Sequence, residues 1–228
     1  MSSEPDDRTL GALYPFLADR APERTLDAPL LESLLSKARE SVSVKQRFFE
    51  ESAAAVLAAA RAIAEVYRRQ GRLYTMGNGG SSCDAAHIAV EFQHPVTAGR
   101  PALPAINLAD DAAMITAVGN DVGFKNVFAR QVIAQMRPGD GLIGVSTSGN
   151  SQNLLAAFVA AKERSGVTIG LAGGDGGKMK GHVAIDHCLI VPSDSIHRVQ
   201  ESHVTLYHIL WDLTHALLAD DRWPGERQ

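Results

Sequence analysis

The chain has 228 residues, of which 45% are hydrophobic and 21% are charged, enough for one domain with a buried core. Its 22 basic and 26 acidic side chains give a formal net charge of −4, which offers no electrostatic attraction to nucleic acid or an anionic membrane surface. Two cysteines cannot build a disulfide framework, and no apolar run approaches the roughly 18 residues of a membrane-spanning helix.

The N-terminal segment is polar and lacks the apolar core of a secretion signal, which predicts a cytoplasmic protein. From about Ala28 the leucines recur at helical spacing, and an alanine-rich helix then ends at Gly71. We therefore expect two N-terminal helices and three segments of chain. These segments are a lead-in with a short helix (1–40), a single domain (41–220) and a polar tail (221–228).

After Gly71 short apolar runs alternate with segments long enough for helices. The runs lack strict polar alternation, as expected for strands covered on both faces of a parallel sheet. The predicted strands cover 72–76, 103–108, 141–146, 167–172 and 187–192. The pattern predicts an α/β fold with a doubly wound, five-stranded parallel sheet flanked by helices, preceded by an N-terminal helical extension.

Glycine and hydroxyl side chains follow two of these strands, at residues 77–82 and 147–151. Glycine lets backbone N–H groups approach an anion, and a following helix N-terminus favours negative charge. Such loops also occur as ordinary strand–helix turns. Because neither loop matches a dinucleotide or nucleoside-triphosphate fingerprint, the pair favours a small sugar phosphate.

Histidines supply two further candidates. His87 and Glu91 are four residues apart on a predicted helix and share one face, so they could hold a divalent metal, serve as a base with a polar partner, or form a surface pair. Gln200 and His208 lie eight residues apart on the C-terminal helix, about 12 Å of rise. That spacing is weak evidence, since His208 also fits a structural core position.

The combination of these motifs resembles the sugar isomerase (SIS) domain, specifically the phosphoheptose isomerases that act on sedoheptulose 7-phosphate. The resemblance extends over about residues 40–218. The matching strings are GNGGS with CDAAH (77–87), Glu91, GRPALPAI (99–106), VGND with GF (118–124), STSGNS (146–151), GGDGGKM (173–179), RVQE (198–201) and His208.

The resemblance implies a homotetramer with active sites between subunits and conversion of a ketose phosphate to D-glycero-D-manno-heptose 7-phosphate through an enediol(ate). It implies that Glu91 is the general base, that His208 is its acid/base partner, and that zinc binds at His87, Glu91, Gln200 and His208. A carboxylate that ligates a metal tightly is a poor free base, so the two roles of Glu91 are in tension. The implied substrate contacts are Asn78, Gly79, Ser81, Asp121, Ser146, Thr147, Ser148, Ser151 and Gln200.

The chain departs from the family pattern near the implied sugar pocket, which leaves another sugar phosphate open as the substrate. Ser82 stands where relatives often have histidine, and Val90 where they often have a second glutamate. Residues 92–96 lack the usual arginine, and His197 replaces an aspartate found in some relatives.

Two other functions are open to a chain of this pattern. One is a non-catalytic binding protein of the type that associates with the bacterial replication initiator, but such relatives lose the glutamate and the final histidine that are present here as Glu91 and His208. The other is a phosphosugar-sensing transcriptional regulator. The first 70 residues carry no basic, helix-turn-helix pattern for that role.

Overall fold

The computed structural model describes residues 27–221. The predicted lead-in up to residue 26 and the predicted tail from residue 222 lie outside these residues. The chain divides into two compact units, one ending at Arg39 and the other beginning at Glu40. No helix in the part described is long and apolar enough to cross a membrane.

A five-stranded parallel sheet forms the centre of the second unit, in the strand order β2-β1-β3-β4-β5. All five predicted strands are present, with ends shifted by at most two residues. Their bounds are β1 Leu73–Gly77, β2 Ala105–Asn107, β3 Gly141–Ser146, β4 Val167–Gly173 and β5 His187–Val191. The central strands β1 and β3 are buried along their whole length, and β4 is buried after Val167, as expected for a sheet covered on both faces, so the predicted fold class is confirmed.

Six α-helices are described. Their bounds are α1 Asp27–Arg68, α2 Gly80–Gln93, α3 Ala112–Asp121, α4 Val127–Gln135, α5 Gln152–Lys162 and α6 Ile196–Asp221. The prediction of two N-terminal helices was wrong, because α1 is one continuous helix of 42 residues. No glycine or proline occurs between Leu30 and Arg68, so nothing in that stretch interrupts the helical hydrogen bonds.

The helices cover opposite faces of the sheet. One apolar cluster joins the part of α1 after Phe48 to α2 and α6, with Phe92, Leu206 and Leu210 almost fully buried. The other joins α4 and α5 to the second face through Phe128 and Phe158. Helices on both faces leave the carboxyl ends of the strands free to carry polar loops.

Candidate active site

The two glycine- and serine-rich loops emerge side by side. They follow β1 and β3, which are parallel neighbours with Gly77 in register with Val145. Since β2 pairs with the other edge of β1, the strand order reverses between β1 and β3. Such a switch point opens a crevice at the carboxyl ends of the strands, where ligands of doubly wound folds bind.

The first loop is tightly packed. A Cβ atom on Gly77 would lie 2.1 Å from the backbone oxygen of Ser81, so only glycine fits where the chain folds back into α2. Gly79 precedes the helix with a positive φ of 55°, and the next residues begin it. Ser81 is buried in this turn, 6% exposed. The loop thus directs the N-terminal end of α2 toward the crevice.

An amide pair joins the first loop to α5. Asn78 Nδ2 donates to Asn153 Oδ1 over 2.9 Å, and Asn153 Nδ2 donates back to Asn78 Oδ1 over 2.8 Å. The reciprocal pair fixes both amide orientations, because each side chain acts as donor and acceptor. Asn153 was not among the predicted residues, although it lies two positions after the second loop.

The second loop presents hydroxyl groups. Ser146, 4% exposed at the end of β3, shares a hydrogen bond of 3.0 Å with Ser151 through their Oγ atoms. The Ser148 hydroxyl accepts from the backbone N–H of Asn150 at 3.3 Å. In turn, Asn150 accepts from the backbone N–H of Lys178 at 3.1 Å, so the loop is held against the turn that follows β4.

A cleft of about 430 Å³ adjoins the second loop, between the ends of β4 and β5. Thr147 and Ser148 line one side, and Asp175 and Asp194 contribute carboxylates. This volume suits one small molecule. A cleft of about 460 Å³ lies at the opposite end of the strands, near the starts of β1 and β3, but its lining contains neither hydroxyl loop nor any histidine.

A cluster of His87, Glu91 and His208 forms where α2 meets α6. His87 Nε2 lies 3.1 Å from Glu91 Oε1, and His208 Nε2 lies 3.9 Å from the same oxygen. The two imidazole rings meet edge to face, with centroids 5.1 Å apart. The side chain of Glu91 is 18% exposed, whereas those of the histidines are 42% and 43% exposed, so the cluster opens to solvent.

The three side chains offer ligand atoms that all lie within 4.8 Å of one another, a group that could hold a metal ion. Two imidazole nitrogens and a carboxylate oxygen are ligands that suit a divalent transition metal. The amide of Gln200, the fourth predicted ligand, lies elsewhere: a Cβ on Gly80 would be 2.4 Å from its Nε2. Gln200 thus contacts the beginning of α2, two helical turns before His87.

Asp121, predicted to bind sugar hydroxyls, is the last residue of α3 and is exposed. Its carboxylate accepts a hydrogen bond of 2.8 Å from Asn120. Within residues 27–221 no hydrogen bond or ion pair joins it to the hydroxyl loops or to the histidine cluster. Of the predicted residues, the structure therefore brings the two loops side by side, with Gln200 against the first, and gathers His87, Glu91 and His208 into the cluster. Asp121 makes no hydrogen bond or ion pair with either group among the described residues.

Sequence reasoning missed two aromatic residues that touch the cluster. The hydroxyl of Tyr207 lies 2.8 Å from His87 Nδ1, and the indole Nε1 of Trp211 donates to the backbone oxygen of Glu91 at 2.8 Å. Their only sequence signal is proximity to His208 on α6. Their partners lie 120 residues earlier in the chain, which no local pattern reveals.

A buried carboxylate completes the surroundings of the cluster. Asp84 precedes His87 by three residues on α2 and is 8% exposed. Burial raises the pKa of Asp84 to about 6, an effect that the nearby His87 reduces. Burial, followed by the charges of Asp84 and Glu91, raises the pKa of Tyr207, so its phenol stays protonated near neutral pH.

Known proteins of the same architecture identify the family. A family model described as the SIS domain matches residues 38–173. A phosphoheptose isomerase of Roseiflexus sp. is 42% identical over 188 residues, covering 82% of this chain and 94% of the relative. One from Solidesulfovibrio magneticus is 44% identical over 183 residues, covering 80% and 88%.

Solved structures agree with the sequence relatives. The phosphoheptose isomerase of Francisella tularensis has a TM-score of 0.77 at 34% identity and covers 82% of this chain and 98% of its own. That of Neisseria gonorrhoeae has a TM-score of 0.76 at 36% identity, covering 82% and 99%. These two structures therefore share the fold over 82% of this chain. The chain belongs to the SIS-domain family and, within it, to the phosphoheptose isomerases.

Proposed function

We propose that this protein is an aldose–ketose isomerase that converts D-sedoheptulose 7-phosphate to D-glycero-D-manno-heptose 7-phosphate. The observation that carries the proposal is the Glu91 carboxylate facing His87 and His208, on a helix that begins at the hydroxyl-rich switch point. A base, a proton carrier and a candidate phosphate site thus belong to one region of the fold. The names of the relatives supply the substrate class, a heptose phosphate.

The reaction needs a proton moved between adjacent carbons and another moved between their oxygens. Glu91 is suited to take the proton from C1 of the ketose and to return it at C2. His208 is suited to move the second proton between the two oxygens of the enediol(ate) intermediate. The contacts of the Glu91 carboxylate with His87 and His208 both use Oε1, and no hydrogen bond among the described residues uses Oε2. Because Oε2 of Glu91 is free of such contacts within the described chain, the carboxylate can ligate a metal through Oε1 and take up a proton at Oε2, which eases the conflict between its two roles.

Phosphate binding at the loops would supply orientation rather than chemistry. Ser81, Ser146, Thr147, Ser148 and Ser151 offer hydroxyl donors, and the N-terminal ends of α2 and α5 favour an anion. Gly79 leaves the backbone accessible there, and the Asn78 amide is held close by. Binding energy spent on a phosphate far from the reacting carbons holds C1 and C2 near the base.

Zinc is the cation that we propose for the cluster. His87, Glu91 and His208 would hold it, with Gln200 as a fourth ligand only after its amide moves from Gly80. When bound, zinc would polarise a substrate oxygen and stabilise negative charge on it.

We also propose a cytoplasmic homotetramer with active sites between subunits. Support for an interface comes from α1, where Leu30, Leu31, Leu34 and Leu35 are 49% to 61% exposed. A contiguous exposed apolar patch of this kind marks a protein interface. The absolute mass in solution, measured by light scattering, tests the subunit number.

Two alternatives compete with this function. A non-catalytic phosphosugar-binding protein of the same fold would need neither Glu91 nor His208. The departures from the family pattern at Ser82, Val90, 92–96 and His197 favour an isomerase for another sugar phosphate. Of these residues, Val90 and His197 have exposed side chains and are accessible to a ligand. Substrate panels separate these alternatives from the heptose reaction.

The deciding experiment assays C5 to C7 ketose phosphates with and without added zinc. We expect turnover of sedoheptulose 7-phosphate, and a loss of roughly a hundredfold or more in kcat for Glu91→Gln and for His208→Ala. Full activity in both variants would refute the catalytic assignment, and binding without turnover in the wild type would favour the non-catalytic alternative.

A further inference from the structure

His87 uses both nitrogens of its ring. Nε2 faces Glu91 Oε1 at 3.1 Å, while Nδ1 faces the Tyr207 hydroxyl at 2.8 Å. Tyr207 is 3% exposed on α6, and its ring meets the imidazole edge to face with centroids 5.2 Å apart. The phenol is therefore held in place by packing and points at the nitrogen that does not face the cluster.

The partner of each nitrogen determines where the ring proton lies. An ionised carboxylate only accepts, so the contact with Glu91 places the proton of neutral His87 on Nε2. Nδ1 then carries a lone pair and must accept from the Tyr207 O–H. If a cation binds at Nε2, the ring proton moves to Nδ1, and the phenol oxygen must accept instead.

A phenol is suited to both arrangements because one hydroxyl group can donate or accept. When it accepts from His87, its own hydrogen needs another partner. Asp84 has a buried oxygen, Oδ2, without a hydrogen-bond partner among the described residues. Its charge is close enough to raise the pKa of Tyr207, so this carboxylate and the phenol share one environment.

We propose that Tyr207 is a positioning residue that sets the ring orientation and the tautomer of His87, donating to Nδ1 in the metal-free protein and accepting from it when a cation occupies Nε2. This inference rests on the proposed role of His87 as a metal ligand. Tyr207 itself touches neither the cation nor the substrate. Removing the hydrogen-bond partner of a metal-ligating histidine typically lowers metal affinity by about ten- to a hundredfold.

The test compares Tyr207→Phe with Tyr67→Phe. Both remove one buried hydroxyl, but that of Tyr67 has no hydrogen-bond partner among the described residues. Zinc chloride is titrated into each metal-free protein in competition with a chromophoric chelator. We expect the Kd for zinc to rise about tenfold in Tyr207→Phe and to stay within twofold of the wild type in Tyr67→Phe. Equal affinities in the two variants would overturn the proposal.

Nitrogen-15 NMR of the wild-type protein gives an independent readout that does not depend on the variant's folding. The His87 resonances, assigned with His87→Gln, should show the Nε2–H tautomer without metal and the Nδ1–H tautomer with zinc. An Nδ1–H tautomer in the metal-free protein would contradict the proposal. The isomerase assay is separate: absent turnover with the expected tautomers refutes the proposed function and leaves the role of Tyr207 intact.

Discussion

The indole of Trp211 donates a hydrogen bond from Nε1 to the backbone oxygen of Glu91 at 2.8 Å. In a continuous helix this oxygen would accept from the residue four positions later, which is Pro95 and has no N–H. α2 ends at Gln93, so α6 supplies the donor that the residues following Glu91 do not provide. The catalytic candidate is thereby anchored through its backbone by the helix that carries His208.

Replacing Trp211 by phenylalanine should therefore lower the free energy of unfolding by about 1–3 kcal/mol, because it leaves a carbonyl of α2 without its donor and shrinks a packed side chain. Urea unfolding at neutral pH measures the change. Tyr67→Phe serves as the control, since it removes a polar group without a partner and should be close to neutral. Equal stabilities of the two variants would contradict the anchoring role.

Gly149 should tolerate no side chain. Its φ is +64°, and a Cβ there would lie 2.0 Å from the backbone oxygen of Gly176. We expect Gly149→Ala to cost clearly more than Gly181→Ala, whose φ of +68° carries strain of about 1 kcal/mol but whose Cβ would meet nothing within 4 Å. Urea unfolding compares the two. If Gly149→Ala cost no more than Gly181→Ala, the second loop would not be packed against Gly176, in the turn that follows β4, as described.

The Ser146–Ser151 pair should bind the phosphate group. Removing either hydroxyl by Ser→Ala takes away one neutral hydrogen bond, about 1 kcal/mol, so KM for the sugar phosphate should rise roughly fivefold with a smaller change in kcat. Inhibition by inorganic phosphate should weaken in parallel. Thr116→Ala is the matched control, because that hydroxyl donates to the carbonyl of Ala112 in its own helix. An unchanged KM would place the phosphate elsewhere.

His203 should make the protein sensitive to acid. It is fully buried and its Nε2 donates to the oxygen of Ala172 at 3.0 Å, while burial lowers its pKa from 6.5 to about 4. Between these two values the unfolded chain binds a proton that the folded protein does not. The contribution of neutral His203 to the free energy of unfolding is therefore complete above pH 6.5. It is lost as the pH falls toward 4, by about 1.4 kcal/mol per pH unit.

His203→Gln keeps a donor toward Ala172 but cannot titrate. The stability gap between wild type and variant, measured by urea unfolding, should shrink by about 2 kcal/mol between pH 7 and pH 5. Asp84 acts in the opposite direction, because its raised pKa of about 6 favours the folded state on acidification, but it is present in both proteins and cancels. A stability gap that stays the same between pH 7 and pH 5 would show that folding does not lower the pKa of His203.

Much of the architecture follows from short-range pattern. The five apolar runs without alternation predicted a parallel sheet, and the glycine and hydroxyl residues after β1 and β3 predicted two loops that favour a sugar phosphate. The structure places these loops side by side. The pairing of His87 with Glu91 followed from helical spacing alone. The N-terminal prediction failed because leucine periodicity shows that a stretch is helical but not whether it continues into the next helix.

The sequence by itself determined the fold class, the two loops and the pairing of His87 with Glu91, because periodicity and turn chemistry act within a few residues. His208 was assigned to the site only by the family resemblance. Only the tertiary structure decided that Tyr207 contacts His87, that Trp211 binds the Glu91 carbonyl and that the Gln200 amide lies against Gly80. The physical reason is distance along the chain. Each of these contacts joins α2 to α6 across about 120 residues, and the packing of the two helices, rather than any local pattern, sets which side chains meet.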